Sequence, residues 1–222
     1  MVFKIKQYII CIFCLLPIFS EIIVAPVAVI RNDFGEFAAQ FSIDNMINQT
    51  NNLVDFNSGV DDFDDFAALN PTATSNNVAT QFFGENNNVG PIIDFDLGEL
   101  FQISQLGLFN NQNRGFEDVD IFTATQADFS DAIFVGNFTF ALSGDAAQDS
   151  PFEVRNLGNN IGQFVRFDVN SFGTNILGGK QITFGVNAAS VPEPSVYLLL
   201  AFLLFLVFIK KNASPKPEKI KL

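Results

Sequence analysis

Histidine and tryptophan are both absent from this 222-residue chain. The only two cysteines, Cys11 and Cys14, lie in an apolar run near the N-terminus. The lack of histidine excludes a Ser-His-Asp triad of the usual kind and any histidine-based zinc site. If the N-terminal run is removed, the remaining chain can form no disulfide and carries no thiolate nucleophile.

Positive charge is also scarce. The chain has 24 Asp and Glu against 12 Lys and Arg, and most of the lysines lie near the two ends. Residues 29–188 contain 21 acidic side chains and five basic ones, a net charge of −16. Such a field repels phosphate backbones and anionic lipid, which excludes nucleic acid as a partner.

The N-terminus has the layout of a secretory signal. Two lysines precede an apolar run from Tyr8 to Phe19, and the sequence predicts a signal peptide over residues 1–28. Three small residues offer cleavage points: Ser20, Ala25 and Ala28. The alternative is an uncleaved anchor that reaches Ile30, which Glu21 and Pro26 disfavour.

A second apolar run lies near the C-terminus. Val196–Ile209 comprises 14 successive apolar or aromatic residues, which as a helix would span ~21 Å of a hydrocarbon layer ~30 Å thick. The lysine pair that follows extends this span, because lysine stems can run along the apolar zone. We therefore predict a transmembrane helix at 196–209. The lysine-rich stretch 210–222 would be its cytoplasmic tail.

Pro192, Glu193 and Pro194 precede this run, within a predicted linker over residues 189–195. The two prolines disfavour helix and present the glutamate on an extended stalk. Here the sequence resembles the PEP-CTERM sorting signal of Gram-negative bacteria, in which this tripeptide, a short apolar helix and a basic end occur in order. The resemblance implies recognition by an exosortase and transfer to the cell envelope or the extracellular biofilm matrix. The alternative is a plain C-terminal membrane anchor with an accidental tripeptide.

The intervening residues 29–188 are predicted to form an all-β, antiparallel jelly-roll sandwich. Apolar and polar residues alternate in three runs, Ile92–Leu97, Val119–Thr123 and Phe138–Leu142. Five further runs are bounded by turn-forming residues: Leu106–Phe109, Ile133–Val135, Phe152–Val154, Phe164–Val169 and Gln181–Val186. Residues 32–88 are less regular, and we expect an opening strand and long loops there.

From Ile92 onward the sequence resembles a discoidin-like or galactose-binding-like domain. The matching segments are Asp96-Leu97-Gly98, Leu106–Asn110, Arg114-Gly115 and Phe164–Phe167. The resemblance implies an eight-stranded jelly roll whose loops at one end bind carbohydrate or another extracellular ligand. Such domains often hold a structural calcium ion.

Candidate ligand-binding residues are Asn110, Asn111, Asn113 and Arg114. Amide groups and a guanidinium suit the hydroxyl groups of a sugar. The alternative is structural: asparagine favours turns, and Arg114 would pair with a neighbouring carboxylate such as Glu117 or Asp118. Phe82-Phe83 offers either an aromatic platform at a loop mouth or two core residues entering a strand.

The acidic run supplies the candidate metal ligands Asp61, Asp62, Asp64 and Asp65. Calcium takes six to eight oxygen ligands of this kind. The spacing matches no EF-hand loop, and a solvated acidic loop is the alternative. We expect no cofactor beyond such a structural calcium ion.

Two functions are consistent with these features. The first is an exported, non-catalytic protein of the cell envelope or matrix that binds glycan or packs within exopolysaccharide. The second is a carboxylate-dependent enzyme that acts on polysaccharide and carries the same sorting signal. Two carboxylates facing each other across a cleft would favour the enzyme, whereas carboxylates spread over the surface would favour the binding protein.

Overall fold

The computed structural model describes residues 21–49, 52–74, 81–85, 90–111, 113–142, 149–174 and 176–188. Contacts divide the chain into two units, residues 1–189 and 190–222. The predicted Pro-Glu-Pro motif, apolar helix and basic tail all lie outside the described residues, as does the predicted signal as far as Ser20. No helix in the described ranges combines the length and the apolar character that crossing a membrane requires.

Antiparallel β-structure dominates the described residues, which confirms the predicted all-β class. The described residues contain nine strands: β1 (Ile22–Val24), β2 (Ala28–Asn32), β3 (Thr72–Ala73), β4 (Phe82–Phe83), β5 (Ile92–Asn110), β6 (Phe116–Ala124), β7 (Ile133–Thr139), β8 (Ser150–Phe172) and β9 (Gly178–Ala188). Six of them are neighbours in the order β1-β9-β5-β8-β6-β7, while β2, β3 and β4 pair with β5, β8 and β9 respectively. The finer assignment, a jelly-roll sandwich, stays a prediction.

Several runs predicted as separate strands belong to the same long strand. β5 contains both Ile92–Leu97 and Leu106–Phe109, and β8 contains both Phe152–Val154 and Phe164–Val169. The glycines and asparagines between these runs were expected to form turns. In β5 and β8 the ladder instead passes through register shifts, which bend a strand without ending it. β5 therefore pairs with β2 in its first part and with β9 in its second.

The main core forms where alternating apolar residues of the long strands face inward. In β6, Val119 and Ile121 are fully buried, while Asp118 before them and Asp120 between them are only partly covered. A smaller cluster packs separately and consists of Ile23, Phe56, Phe63, Phe66, Ala73 and Phe109. Burial of this apolar surface is the main stabilising contribution to the fold.

Residues 32–88 contain more helix than the expected loops. Short 3-10 helices cover Ala39–Phe41 and Ile43–Met46, and an α-helix, α1, covers Phe63–Ala68. α1 begins inside the acidic run because the Asp62 carboxylate accepts a hydrogen bond of 2.8 Å from the backbone N–H of Asp65. Phe63 and Phe66 are buried on one face of this helix.

The first described residues belong to the sheet. β1 pairs with β9, and Ile23 is fully buried and donates its N–H to the Asp61 carbonyl at 2.8 Å. The predicted signal peptide, residues 1–28, includes β1. Cleavage after Ser20 would keep β1 in the fold, whereas cleavage after Ala25 or Ala28 would remove it.

Candidate functional site

A pocket of about 330 Å³ lies at one end of the sheet, where β5 ends and where β6 and β9 begin. These points are neighbours because β9 runs antiparallel to β5, with Asn110 opposite Gly179. The pocket is lined by Phe37, Phe41, Phe83, Arg114 and Ile176, and we call it the aromatic pocket.

Three phenylalanines form one wall of the aromatic pocket. The Phe41 ring packs edge-on against Phe83 with centroids 5.1 Å apart, and the Phe37 ring lies 6.1 Å from Phe41. Phe83 is 6% exposed, whereas Phe37 is 57% exposed. The wall therefore runs from a buried base to an open rim. A solvent-facing ring of this kind is available to a ligand.

The inner ring is held by strand pairing. Phe83 lies in β4, where its partner in β9 is Gly178. A Cβ atom at Gly178 would lie 2.8 Å from a carbon of the Phe83 ring, so a larger residue there would push the ring away. The backbone of Phe83 also accepts a hydrogen bond of 2.9 Å from the Phe37 N–H. Phe83 therefore fixes Phe37 as well.

The Glu36 carboxylate holds the segment that carries the two outer rings. It accepts hydrogen bonds from the Ser42 hydroxyl at 2.7 Å and from the Ile43 N–H at 3.0 Å. These bonds close the chain around Phe37 and Phe41 in a defined loop. The same bonds leave the Glu36 carboxylate engaged within the protein.

Asn110 and Asn111, two of the predicted ligand-binding residues, make internal hydrogen bonds. Asn110 is 3% exposed; its amide donates to the Phe116 carbonyl at 2.8 Å and accepts from the Phe116 N–H at 2.9 Å. A Cβ at Gly115 would lie 2.0 Å from the Asn110 side-chain oxygen, so only glycine fits there. Asn111 is 5% exposed and donates to the Gln81 side chain at 2.7 Å. Both asparagines shape the loop rather than face a ligand.

Asn113 and Arg114 complete this loop. The Asn113 carbonyl accepts hydrogen bonds from the N–H and the hydroxyl of Thr174, at 2.8 and 3.1 Å. The Arg114 carbonyl accepts from the Gly178 N–H at 2.5 Å. The Arg114 guanidinium carbon lies 5.3 Å from the centroid of the Phe83 ring, within cation–π range. Of the four predicted residues, Arg114 is the one that lines the aromatic pocket.

Arg114 makes no ion pair with any described residue. The pairing with Glu117 or Asp118 that we considered is not formed, and Asp118 instead accepts a hydrogen bond from Asn137. The ion pairs among the described residues join Arg31 to Asp33, Arg155 to Glu153 and Arg166 to Asp94. With respect to the described residues, the Arg114 guanidinium therefore has donors free of any carboxylate beside an aromatic wall.

Sequence reasoning missed part of the aromatic pocket. Phe37, Phe41 and Ile176 were not candidates, because nothing in their local sequence indicates that they meet. The pair Phe82-Phe83 was interpreted either as core residues or as an aromatic platform, and each interpretation applies to one residue. Phe82 belongs to the main core, and Phe83 borders the aromatic pocket.

The acidic run lines a second pocket, of about 300 Å³, with Asp55, Asp61, Asp62 and Asp65 among its lining residues. Asp62 caps α1, Asp61 accepts a hydrogen bond of 2.7 Å from the Asn57 N–H, and Asp64 accepts one of 2.9 Å from Gln105. In the ranges that the structure describes, no group of three or more Asp, Glu, His or Cys residues is arranged to hold a metal ion. The fit to calcium is therefore poor, and calcium binding here stays a prediction.

One facing pair of carboxylate residues lies on a sheet face. Asp120 and Asp168 are directly opposite each other in the β6–β8 ladder. Burial, and the charge of Asp120 after it, raise the pKa of Asp168. Neither residue lines the aromatic pocket or the acidic pocket. This arrangement does not provide two carboxylates across a cleft, as glycoside hydrolysis requires.

No protein-family model matches the sequence, and no curated protein matches it. Several solved structures are similar in shape. One is a fragment of a putative chitobiase from Bacteroides thetaiotaomicron, with a TM-score of 0.49, 11% identity, and coverage of 72% of this chain and 89% of that chain.

Two similar structures are carbohydrate-binding modules from Clostridium perfringens. The CBM32-1 and CBM32-2 domains of ZmpB, in complex with GalNAc, have a TM-score of 0.48 at 12% identity, covering 72% of this chain and 33% of that chain. The module CpGH89CBM32-5, in complex with GalNAc-beta-1,3-galactose, has a TM-score of 0.40 at 9% identity, covering 47% and 74%. With TM-scores below 0.5, none of these likenesses assigns a function to this chain.

Proposed function

We propose that this chain is a non-catalytic carbohydrate-binding protein and that the aromatic pocket is its binding site. One observation carries the proposal: a partly exposed phenylalanine wall and the Arg114 guanidinium, which forms no ion pair with a described residue, line the same cavity. Ligand pockets typically combine apolar walls with a few polar groups that fix orientation. A sugar ring matches this combination, because its C–H face can pack on phenylalanine while its oxygens accept hydrogen bonds from the guanidinium.

The size of the pocket indicates how the ligand binds. A volume of about 330 Å³ lies at the small end of the range for ligand pockets, about 300 to 1,000 Å³. Because Phe37 is exposed at the rim, a sugar chain bound in the pocket can continue into solvent. We therefore propose recognition of a short stretch or an end of a polysaccharide.

The enzymatic alternative has less support. The described residues that line the aromatic pocket include no carboxylate, and histidine is absent from the chain. General acid–base catalysis needs such a group within hydrogen-bond reach of the substrate. A binding role needs none.

The sequence resemblances complete the proposal. The domain would be a discoidin-like jelly roll, exported through its N-terminal signal. Pro192, Glu193 and Pro194, with the apolar run and the lysine-rich end, would make the chain an exosortase substrate held in the inner membrane during transit. Its destination would be the envelope or the extracellular matrix of a Gram-negative bacterium, where exopolysaccharide is the available glycan.

A binding assay with matched phenylalanine variants tests the proposed site. Protein from cells that express the full chain is applied to a panel of immobilised bacterial polysaccharides. Phe37→Ala removes the outer ring of the pocket, while Phe134→Ala removes a ring that is equally exposed, 56% against 57%, but lies in β7. We expect wild type and Phe134→Ala to be retained and Phe37→Ala to be lost. Equal retention of both variants, or no retention of wild type on any polysaccharide, would overturn the proposal.

A further inference from the structure

The four arginines of this chain differ in their partners. Arg31, Arg155 and Arg166 each approach a carboxylate, at 2.6, 2.8 and 2.7 Å respectively. Arg114 has no carboxylate within salt-bridge distance among the described residues. Acidic side chains outnumber basic ones by 21 to five in residues 29–188. An arginine without an acidic neighbour is therefore the exception in this domain, and this exception lies in the aromatic pocket.

We propose that the sugar bound in the aromatic pocket carries a carboxylate, so that the ligand is a polysaccharide containing uronic acid. This inference rests on the proposed carbohydrate-binding function and specifies its ligand class. A guanidinium is a planar fork of five N–H donors whose geometry matches a carboxylate through two parallel hydrogen bonds. A single neutral hydroxyl group presents one acceptor atom, so it cannot pair with both arms of the fork in parallel.

The surroundings of Arg114 prepare the guanidinium for this contact. Its backbone is fixed by the hydrogen bond from Gly178, and its side chain lies against the Phe83 ring. A pre-positioned side chain loses less conformational entropy when the ligand binds. The other lining residues that the structure describes are three phenylalanines and an isoleucine, none of which competes for the guanidinium. The Glu36 carboxylate, adjacent to Phe37, is already engaged by Ser42 and Ile43.

The negative charge of the domain opposes a polyanion at long range but not in the pocket. Surface charges are screened over about 8 Å at an ionic strength of 0.15 M. A direct contact with Arg114 acts at a much shorter distance. Binding should therefore be measured at that ionic strength, so that general repulsion does not mask the contact.

Calorimetry with three oligosaccharides tests the inference. The first probe is an oligogalacturonate, and the second is the same oligosaccharide with its carboxyl groups reduced to alcohols. The third is a sulfated oligosaccharide whose sugars carry no carboxyl groups. We expect wild type to bind the oligogalacturonate at least tenfold more tightly than either of the others. Arg114→Gln should bind the first two equally. Arg31→Gln, which breaks an exposed ion pair outside the aromatic pocket, should behave as wild type. Arg114→Lys keeps the charge without the fork, so an intermediate preference for the acidic sugar is expected.

The possible results separate the two proposals. Equal wild-type affinity for the acidic and the reduced oligosaccharide would overturn the uronic-acid inference and leave carbohydrate binding intact. Tighter binding of the sulfated probe would also overturn it, in favour of sulfate. Binding of none of the probes or immobilised polysaccharides would count against the function itself. If Arg114→Gln unfolds, the wild-type comparison and Arg114→Lys still decide the question.

Discussion

The Arg114 guanidinium lies over the Phe83 ring, 5.3 Å from its centroid, and Gly178 fixes both residues. Gly178 pairs with Phe83 across the β4–β9 ladder, and its N–H donates to the Arg114 carbonyl. One glycine at the start of β9 therefore sets the position of the cation and of the ring beside it. The aromatic pocket depends on contacts between segments far apart in the sequence.

The loop that carries Arg114 should depend on Asn110. Asn110→Ala removes two buried hydrogen bonds and leaves the N–H and carbonyl of Phe116 unpaired. We expect a loss of about 2–4 kcal/mol in the free energy of unfolding and weaker glycan binding, measured by urea denaturation and calorimetry. Gln126→Ala, at an exposed position, is the control and should change stability little. If Asn110→Ala is as stable as wild type, the hydrogen bonds between Asn110 and Phe116 do not hold the loop.

Lys180 should lower stability at neutral pH. Its side chain is 2% exposed, its ammonium donates to the Ala73 carbonyl at 3.2 Å, and burial lowers its pKa to about 8. The unfolded chain then holds this proton more tightly, so wild-type stability should rise with pH from about 8 towards the usual lysine pKa of about 10. Lys180→Met should be more stable than wild type at pH 7, by up to about 3 kcal/mol, because the lowering from 10.5 to about 8 at ~1.4 kcal/mol per pKa unit sets the upper limit and the variant loses the hydrogen bond to Ala73.

Denaturant unfolding at pH 7 and pH 10 measures this difference. The gain from Lys180→Met should shrink at pH 10, because the folded wild-type amine is then neutral and the pH approaches the pKa of the unfolded lysine. A variant less stable than wild type at pH 7 would mean that the buried ammonium contributes favourably to the fold.

Asp168 opposes Asp120 across two strands, and like charges in this position destabilise a sheet. Burial and Asp120 raise the pKa of Asp168, so the folded chain holds that proton more tightly than the unfolded chain. Wild-type stability should therefore fall as the pH rises through the raised pKa. Asp168→Asn should gain about 0.2–1 kcal/mol at pH 7.

The gain from Asp168→Asn should disappear at pH 3, because the raised pKa of Asp168 leaves its carboxyl group protonated and uncharged there. The control is Asp128→Asn. Because hydrogen bonds from Ser130 lower the pKa of Asp128, removal of the Asp128 carboxylate should not increase stability. Thermal unfolding across this pH range tests both variants. An Asp168→Asn gain that is the same at pH 3 and pH 7 would exclude charge repulsion as its cause.

The N-terminal end of the mature chain should precede β1. Because Ile23 is fully buried and Ile22–Val24 pairs with β9, we expect cleavage after Ser20. Intact mass spectrometry of envelope and medium fractions, with and without the exosortase, locates both ends. We expect the segment after Pro192–Pro194 to be lost only when the enzyme is present. A mature chain beginning at Pro26 or Val29 would place β1 outside the folded protein. A full-length C-terminus in cells with and without the exosortase would indicate a plain membrane anchor.

The strands were predictable because the alternation of apolar and polar residues is visible within a few neighbouring positions of the sequence. Ile92–Leu97 and Val119–Thr123 show the two-residue period of a half-buried strand, and they lie in β5 and β6. The continuity of β5 and β8 was not predictable, because glycine and asparagine mark bulges and turns alike. Helix α1 was missed because the acidic run suggested a solvated loop, whereas Asp62 caps the helix and Phe63 anchors it.

The candidate site was only partly predictable for a different reason. Arg114 could be chosen from its chemistry, since a guanidinium in an asparagine-rich loop suits a sugar. Phe37 and Phe41 could not, because the pairing of β4 with β9 and the hydrogen bonds of Glu36 bring them to Phe83. The distinction between Arg114 and Asn110 also needed the structure, since the hydrogen bonds of Asn110 are internal.

The most direct test of the proposed site is an NMR titration that locates the bound sugar. Backbone amide shifts of the protein are followed while an oligogalacturonate is added at an ionic strength of 0.15 M. We expect the largest shift changes at Phe37, Phe83, Arg114 and Ile176, with none at Asp61 and Asp65 in the acidic pocket. Saturable changes centred on the acidic pocket or on the Asp120–Asp168 face, with the aromatic pocket unchanged, would contradict the account.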